Sequence, residues 1–305
     1  MAMVSLAQQA TISSGTACFS SFSSSFYATQ KNSFFLPPDS ATSRRNLKHS
    51  GVMATPECSS SSGMTDSQGG RILRQVLNKE GRAKLNLTSD RGFYSSPRLV
   101  THVDDQFLST LTNLYRERIP DNAEVLDLMS SWVSHLPAEK KYKRVVGHGL
   151  NAQELSRNRQ LDHFFVKDLN AEPKIENADG SFDAVVCTVS VQYLEQPEKV
   201  FAEIYRVLRP GGVCIVSFSN RMFYEKAVAA WRDGSDYSRT QLVKQYFQCI
   251  DGFTAPEVVK KLPDAKSSQN TSPNPFSFIT NLFASAGRDP FYAVVAYRNF
   301  KPIRE

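Results

Sequence analysis

Four apolar, strand-like runs in the middle of the chain are each followed by residues that could contact a ligand. In chain order these residues are Asp127, Met129, Ser130, Ser131, Asn151, Asp168, Leu169, Thr188 and Val189. Carboxylates, amides and hydroxyls can exchange hydrogen bonds with a bound molecule. Open parallel sheets bind their ligands in a crevice outside the carboxyl ends of the strands. The spacing therefore predicts a small-molecule site that is built by the strand ends.

Apolar runs alternate with helix-like segments, which is the pattern of a parallel α/β sheet that is buried on both faces. The expected strands are 124–129, 144–148, 163–168, 182–189, 213–218 and 291–298. The expected helices are 71–87, 103–119, 197–208, 222–233 and 238–249. One face of the second helix carries Val103, Phe107, Leu111 and Leu114 or Tyr115. In the third helix Pro197 suits the first turn, and Gly211 is expected to stop it.

Composition and charge argue against several functional classes. Across the 305 residues no window approaches 18 consecutive apolar residues, so a transmembrane helix is not expected. The five Cys and five His residues are scattered without CxxC, HExxH or HxH spacing, so a metal site is not expected. Residues 1–54, with four basic residues and one acid, carry half of the net charge of +6. The small remainder gives no reason to expect nucleic-acid binding.

The first 50 residues have the composition of a targeting sequence. They contain 16 Ser or Thr residues and a single acid, with no continuous apolar segment. This composition is typical of an organellar transit peptide, and the VMA-Thr sequence at 52–55 favours plastid processing near residue 54. We expect the chloroplast stroma as the location, with the mitochondrion as the second choice. A Ser/Gly-rich linker at 55–70 then leads into the domain at 71–305.

Four segments within the expected sheet form a recognisable pattern. They read VLDL at 125–128, VKDLN at 166–170, GSFDAVVCTVSVQYL at 180–194 and EIYRVLRPGG at 203–212. The pattern resembles the class I S-adenosylmethionine-dependent methyltransferases, most closely the type 11 methyltransferase domain, over about residues 120–220. The resemblance implies a three-layer Rossmann-like fold with a mostly parallel seven-stranded sheet and an antiparallel C-terminal strand. Residues 258–262 and 291–298 would then form the closing hairpin.

The resemblance also implies a cofactor and its contacts. S-adenosylmethionine would be the cofactor, and a small molecule would be the methyl acceptor. Asp127 would face the ammonium of the methionine moiety, and the backbone of residues 129–131 would approach the cofactor. Asp168 would accept from the adenine amine with Leu169 beside the ring, and Thr188 and Val189 would lie beneath the methyl donor.

The sequence departs from that family at two positions. The family's first loop normally reads DxGxGxG, because glycine lets the backbone pass close to the cofactor. Residues 127–133 contain no glycine. Gly149 stands where an acid that binds the ribose hydroxyls is expected. Asn151 or Glu154 could substitute for that acid.

A polar segment at 91–107 precedes the expected sheet. In folds of this kind an N-terminal helical element, here 71–120, commonly covers the site. Its candidate substrate contacts are Tyr94, Arg98, His102, Asp104 and Asp105. We predict His102 as a general base and Tyr94 as an orienting hydroxyl, although helix capping and surface exposure also explain the polar residues.

Two interpretations of the function follow, and a third is disfavoured. The first is a methyltransferase that acts on a small molecule in the plastid. The second is a non-catalytic binding or scaffold protein that keeps the fold, as the missing glycines and the missing acid suggest. A short-chain reductase is disfavoured because the sequence lacks both GxxxGxG after a first strand and a YxxxK pair. The sequence leaves two alternatives for a polar insertion at 263–290, which could act as a lid or be merely disordered.

Overall fold

Seven strands form one mixed sheet in the computed structural model, which describes residues 70–262 and 288–303. They are β1 (Glu124–Asp127), β2 (Arg144–Gly149), β3 (His163–Val166), β4 (Phe182–Thr188), β5 (Leu208–Phe218), β6 (Glu257–Lys261) and β7 (Phe291–Tyr297). Their spatial order is β3-β2-β1-β4-β5-β7-β6. The first five strands are parallel, and β7 runs antiparallel to both β5 and β6. The predicted sheet, including its closing hairpin, is confirmed.

Helices cover both faces of this sheet. They are α1 (Asp90–Phe93), α2 (Asp105–Arg118), α3 (Ala152–Leu155), α4 (Pro197–Val207), α5 (Ala229–Arg232) and α6 (Asp236–Gln248). A short 3-10 helix spans Val191–Tyr193. No helix in the described part of the chain has both the length and the apolar character needed to cross a bilayer.

Side chains of successive strand residues pack alternately into two separate hydrophobic cores, one on each face of the sheet. Val125 and Val186 pack with the buried face of α2, whereas Leu126 and Val185 pack with α4 and α6. This alternation follows from the two-residue period of a strand whose two faces are both covered. The predicted face of α2 is confirmed, because Phe107, Leu111, Leu114 and Tyr115 are all buried. Val103 is buried in the same core, although it precedes the helix.

Some of the predicted helices were wrong. Residues 71–87 form turns, bends and one isolated bridge between Ile72 and Ile250. The carboxylate of Glu198 accepts the backbone N–H groups of Val76 and Leu77, so a tertiary contact holds this backbone outside a helix. The cap at 71–120 is therefore helical only in α1 and α2.

Two further boundaries also differ from the sequence prediction. The helix expected at 222–233 is reduced to α5. Gly211 lies inside β5 with a φ of 79°, and it does not stop a helix. The predicted leader at 1–54, almost all of the 55–70 linker and most of the 263–290 insertion lie outside the described residues.

The strand order reverses at β1, which pairs with β2 on one side and with β4 on the other. The chain leaves β1 and β4 toward opposite halves of the sheet, so the loops after these strands diverge and leave a crevice. This switch point is where the candidate site lies.

Candidate functional site

A cavity of about 390 Å³ opens at the carboxyl ends of β1, β2 and β4. Its volume lies within the range of small-molecule sites. We call one side the strand-end wall, formed by the segments 127–131, 148–154, 167–170 and 188–190, most of whose residues line the cavity. We call the other side the cap wall, formed by Tyr94, Arg98, His102, Tyr193 and Phe223. The predicted cofactor-binding residues, Tyr94 and the base candidate His102 all line this cavity, whereas the candidate substrate contacts Asp104 and Asp105 do not. Asp104 instead caps α2, because its carboxylate accepts the Phe107 N–H at 2.8 Å.

The loop after β1 turns sharply without a glycine. Met129 adopts a left-handed conformation with a φ of 57°, which costs a non-glycine residue roughly 1–2 kcal/mol. Its backbone N–H donates to Nδ1 of His148 at 3.1 Å, and the next N–H, from Ser130, donates to the His148 carbonyl at 2.6 Å. A histidine on the neighbouring strand therefore holds the backbone conformation that glycine would adopt freely.

The ring of His148 is neutral and has one defined tautomer. Since Nδ1 accepts from Met129, Nε2 carries the proton and donates to the carbonyl of Lys167 at 2.9 Å. Burial lowers the pKa of His148 to about 4, against a weaker upward effect of the Lys167 carbonyl. Both ring nitrogens are therefore bonded, and the ring connects the loop after β1 to the end of β3.

Gly149 is required by the position of that loop. A Cβ atom at residue 149 would lie 2.6 Å from the carbonyl oxygen of Ser130, which is closer than real Cβ atoms approach backbone. The glycine-free loop after β1 and the glycine at position 149 are therefore linked, because the loop backbone packs against Gly149. In this chain the position that needs glycine is at the end of β2 and not in the loop after β1. An acidic side chain at residue 149 would not fit there.

Asp127 is buried at the start of the same loop. Its carboxylate accepts from the Ser130 hydroxyl at 2.5 Å. Burial raises the pKa of Asp127 to about 7, although hydrogen bonds from Ser130 and Ser134 act in the opposite direction. The Asp127 carboxyl therefore titrates near neutral pH. A cation beside it would be favoured, because it would stabilise the buried carboxylate.

Of the two candidate substitutes for the missing acid, Asn151 is already engaged. Its side-chain oxygen accepts from the first turn of α3, and its amide donates to the carbonyls of Tyr94 and Ser95 at 2.8 and 3.1 Å. Glu154 is a buried carboxylate in the cavity wall that accepts from the Ser131 hydroxyl and from the Arg98 backbone, both at 2.6 Å. Asn151 thus connects the cap to the sheet. Glu154 is the residue that places a carboxylate near the position of the missing acid.

The ends of β3 and β4 complete the strand-end wall. Asp168 is half-buried and accepts the Asn170 N–H at 2.9 Å, and the buried Leu169 lies beside it. The Thr188 hydroxyl lies 2.7 Å from the hydroxyl of Tyr115, and Val189 follows with a φ of 45°. The predicted contacts of these residues with adenine and with the methyl donor stay predictions.

The cap wall consists mainly of aromatic rings. Phe223 contacts Tyr94 and Tyr193, with ring centroids 6.1 Å apart in both pairs, and His102, at 5.5 Å. Burial lowers the pKa of His102, and Arg98 adds to this, while Glu154 opposes it. Burial raises the pKa of Tyr94. At neutral pH His102 is therefore an unprotonated base, whereas Tyr94 keeps its proton.

Sequence reasoning missed two contributors to the site. His148 ends the expected strand at 144–148 and was not predicted as a site residue, although its position within an apolar run signals burial. Asp90, which also lines the cavity, pairs with Lys84 at 2.6 Å and with the fully buried Lys226 at 3.1 Å. Nothing in the local sequence signals this cluster, because Lys226 comes from a distant segment.

The family model described as a methyltransferase domain, the type 11 form, matches residues 130–216. That range runs from the loop after β1 to the end of β5 and contains most of the strand-end wall. Residues 130–216 of this chain thus belong to a methyltransferase domain. The cofactor of this domain is S-adenosylmethionine.

Curated relatives match a short part of this chain. The human protein "Thiol S-methyltransferase TMT1B" is 41% identical over 61 residues, which are 20% of this chain and 25% of that protein. The mouse protein of the same name is 41% identical over 58 residues, 19% of this chain and 23% of its own. The matches thus span about a quarter of these relatives' length.

Solved structures resemble the methyltransferase domain in fold at low identity. The S-adenosylmethionine-dependent methyltransferase from Mesorhizobium loti is 17% identical, with a TM-score of 0.40, over 61% of this chain and 96% of its own. Phosphoethanolamine N-methyltransferase 2 of Haemonchus contortus is 17% identical, with a TM-score of 0.43, over 69% of this chain and 56% of its own.

The strand-end wall of the methyltransferase domain fits this cofactor in charge. S-adenosylmethionine carries a sulfonium cation, and the wall presents the carboxylates of Asp127, Glu154 and Asp168. The lysine on this wall, Lys167, is paired with Glu172 at 2.9 Å. The backbone of residues 129–131 also reaches the cavity despite the missing glycines, because His148 supports the turn.

Proposed function

We propose that this protein transfers a methyl group to a small-molecule acceptor in the plastid. The observation that carries the proposal is the single cavity that the strand-end wall and the cap wall line together. One wall carries the carboxylates that suit a cationic cofactor, and the other carries rings and a neutral histidine. When bound, the cofactor supplies an activated methyl carbon, and the chain's own residues supply alignment and proton removal.

We infer that the acceptor is a group that must lose a proton, such as a thiol or a phenol. The names of the human and mouse relatives point to thiols. An alkyl thiol such as that of cysteine and a phenol such as that of tyrosine have pKa values of about 8.5 and 10, so both are mostly protonated at neutral pH. His102 would take that proton because its lowered pKa keeps the ring unprotonated. Tyr94, which stays protonated, would orient the acceptor by donating a hydrogen bond.

Methyl transfer from isotope-labelled S-adenosylmethionine to panels of aryl thiols, alkyl thiols and phenols tests this proposal. We expect label on at least one panel. We also expect His102→Gln to lower turnover by about 100-fold, as loss of a general base does, with affinity for S-adenosylhomocysteine unchanged. Equal losses of turnover and of cofactor affinity in His102→Gln would contradict the assignment of the base.

A non-catalytic binding protein is the second candidate function, because the loop after β1 lacks the glycines expected there. Thermal unfolding with S-adenosylhomocysteine separates the two candidates. A ligand present at 100 times its Kd stabilises the folded state by about 2.7 kcal/mol. Stabilisation with label transfer supports the enzyme, stabilisation without transfer to any panel supports a binding protein, and no stabilisation excludes use of the cofactor.

The plastid location rests on the composition of residues 1–54. A fluorescent protein fused to the C-terminus of the 305-residue chain should accumulate in plastids of plant cells. The same fusion without residues 1–54 should remain in the cytosol. Accumulation in mitochondria would replace the plastid proposal with the second-choice location.

A further inference from the structure

Arg98 differs from the other cations of the cavity in its lack of an acidic partner. Lys167 pairs with Glu172 at 2.9 Å, and Arg221 pairs with Asp289 at 2.5 Å. Among the described residues, no carboxylate lies within ion-pair distance of the Arg98 guanidinium. A positive charge in a partly buried wall without an opposite charge favours binding of an anion.

The surroundings of Arg98 restrict how an anion could reach it. Its guanidinium carbon lies 4.4 Å from the ring centroid of Phe93, 5.1 Å from that of Phe223 and 5.4 Å from that of Tyr94. These cation–π contacts hold the group in place while leaving its charge unneutralised. A ligand would therefore meet the nitrogen edge of the guanidinium, since rings already pack against it.

That edge still has bonding capacity. Nη2 donates to the carbonyl of Phe93 at 3.1 Å, whereas Nη1 is buried and has no partner among the described residues. A buried donor without a partner destabilises the folded state, since it has lost its hydrogen bonds to water. A carboxylate would satisfy it, since its two oxygens match the planar donors of a guanidinium.

The carboxylates near Arg98 are committed elsewhere. Asp90 is held by Lys84 and Lys226. Both oxygens of Glu154 accept hydrogen bonds, one from the Ser131 hydroxyl and one from the backbone N–H of Arg98 itself. Neither acid is paired with the guanidinium.

We propose that Arg98 binds the carboxylate of a ligand in this cavity. The carboxylate has two possible sources, the amino-acid portion of the cofactor or a carboxylated acceptor. The second source rests on the proposed function, whereas the first needs only cofactor binding. The substitution Arg98→Met tests both, because it removes the charge and the donors but keeps an apolar stem against the rings.

Calorimetric titration of the 305-residue chain distinguishes the sources. The cofactor arm compares S-adenosylhomocysteine with S-adenosyl-3-thiopropylamine, which lacks only the carboxylate. The acceptor arm compares benzoate with benzamide in the presence of saturating S-adenosylhomocysteine. For the true source, Arg98→Met should weaken binding of the carboxylate-bearing probe at least about tenfold, equivalent to 1.4 kcal/mol, and should not weaken binding of the probe that lacks the carboxylate.

Arg221→Met is the matched control, because it removes a cation of the same cavity that is already paired. It should weaken the carboxylate probes much less than Arg98→Met does. A thermal unfolding midpoint near that of the unaltered chain shows that Arg98→Met folds. Arg98→Lys should recover only part of the affinity, because lysine lacks the planar pair of donors.

The proposal is overturned if Arg98→Met binds both carboxylate-bearing probes as the unaltered chain does, or weakens binding of probes with and without a carboxylate equally. Failure of the proposed function has a different signature, namely no binding of S-adenosylhomocysteine and no label transfer by the unaltered chain. In that case the comparison of benzoate with benzamide, made without the cofactor product, still decides whether Arg98 binds carboxylates.

Discussion

The two walls of the cavity satisfy their polar groups in different ways. In the strand-end wall, Asp127, His148 and Glu154 all have hydrogen-bond partners within the protein. In the cap wall, rings pack on one another, and one guanidinium nitrogen of Arg98 has no hydrogen-bond partner among residues 70–262 and 288–303. The strand-end wall is therefore preorganised by the fold, whereas the cap wall retains bonding capacity for a ligand.

This difference separates the expected effects of substitutions. Changes in the strand-end wall disturb contacts between neighbouring strands, so they should alter both stability and cofactor affinity. Changes in the cap wall should alter ligand handling and leave stability nearly unchanged. A substitution in the cap wall that lowers stability, or one in the strand-end wall that leaves stability unchanged, would show that the walls do not differ in this way.

Gly149→Asp should have the largest effect, although it restores the acid that related methyltransferases are expected to carry. The new Cβ would lie 2.6 Å from the Ser130 carbonyl oxygen, and the carboxylate would be buried. Overpacking alone lowers the free energy of unfolding by about 1–3 kcal/mol, and an unpaired buried charge adds to this loss. Urea unfolding measures the loss, and titration should show at least tenfold weaker S-adenosylhomocysteine binding.

Gly92→Asp is the control for that variant, because a Cβ there meets no atom within 4 Å. It should leave the free energy of unfolding nearly unchanged. Tighter cofactor binding by Gly149→Asp at unchanged stability would show that the close approach between Gly149 and Ser130 is not a constraint.

Asp127→Asn should change how stability depends on pH. Because the pKa of Asp127 is about 7 in the folded state and 3.8 normally, the folded state holds its proton more tightly. Stability from this group is therefore complete below pH 3.8 and is lost as the pH rises through 7. Relative to the unaltered chain, Asp127→Asn should gain up to roughly 4 kcal/mol between pH 4 and 8.

Urea unfolding of both proteins across that pH range tests the sign. His148 acts in the opposite direction, since its lowered pKa of about 4 makes stability fall as the pH drops from 6.5 toward 4. Its contribution is common to both proteins and cancels in the difference. If the difference in free energy of unfolding between the two proteins does not change with pH, burial does not destabilise the Asp127 carboxylate.

His148→Leu should lower the free energy of unfolding by about 1–3 kcal/mol, because it leaves the Met129 N–H and the Lys167 carbonyl unpaired. The loop after β1 would lose its support, so affinity for S-adenosylhomocysteine should fall as well. Unfolding and titration measure the two effects. His163→Leu, at an exposed histidine of the neighbouring strand, is the control and should change neither.

Adding Met129→Gly to His148→Leu sharpens the interpretation. Glycine adopts the left-handed conformation without steric cost, so the double variant should recover part of the cofactor affinity. If the loss is the same with methionine or glycine at position 129, His148 does not act through this turn.

The sequence could predict the sheet but not the contacts that complete the site. Runs such as 182–189 and 213–218 are apolar over the length of a buried strand, so local pattern was sufficient. The helix expected at 71–87 was wrong because Glu198, more than 100 residues away, binds its backbone. The pairing of His148 with Met129, and the missing partner of Arg98, depend likewise on residues that only the folded chain brings together.

Tyr94→Phe should have the smallest effect and tests the division from the side of the cap wall. The ring keeps its contacts with Phe93 and Phe223, so the free energy of unfolding should change by less than about 1 kcal/mol. Affinity for S-adenosylhomocysteine should stay the same, whereas turnover should fall severalfold because the orienting hydroxyl is lost. Steady-state kinetics beside titration separate these quantities. A loss of cofactor affinity would place Tyr94 with the strand-end wall, to which Asn151 already fastens its backbone.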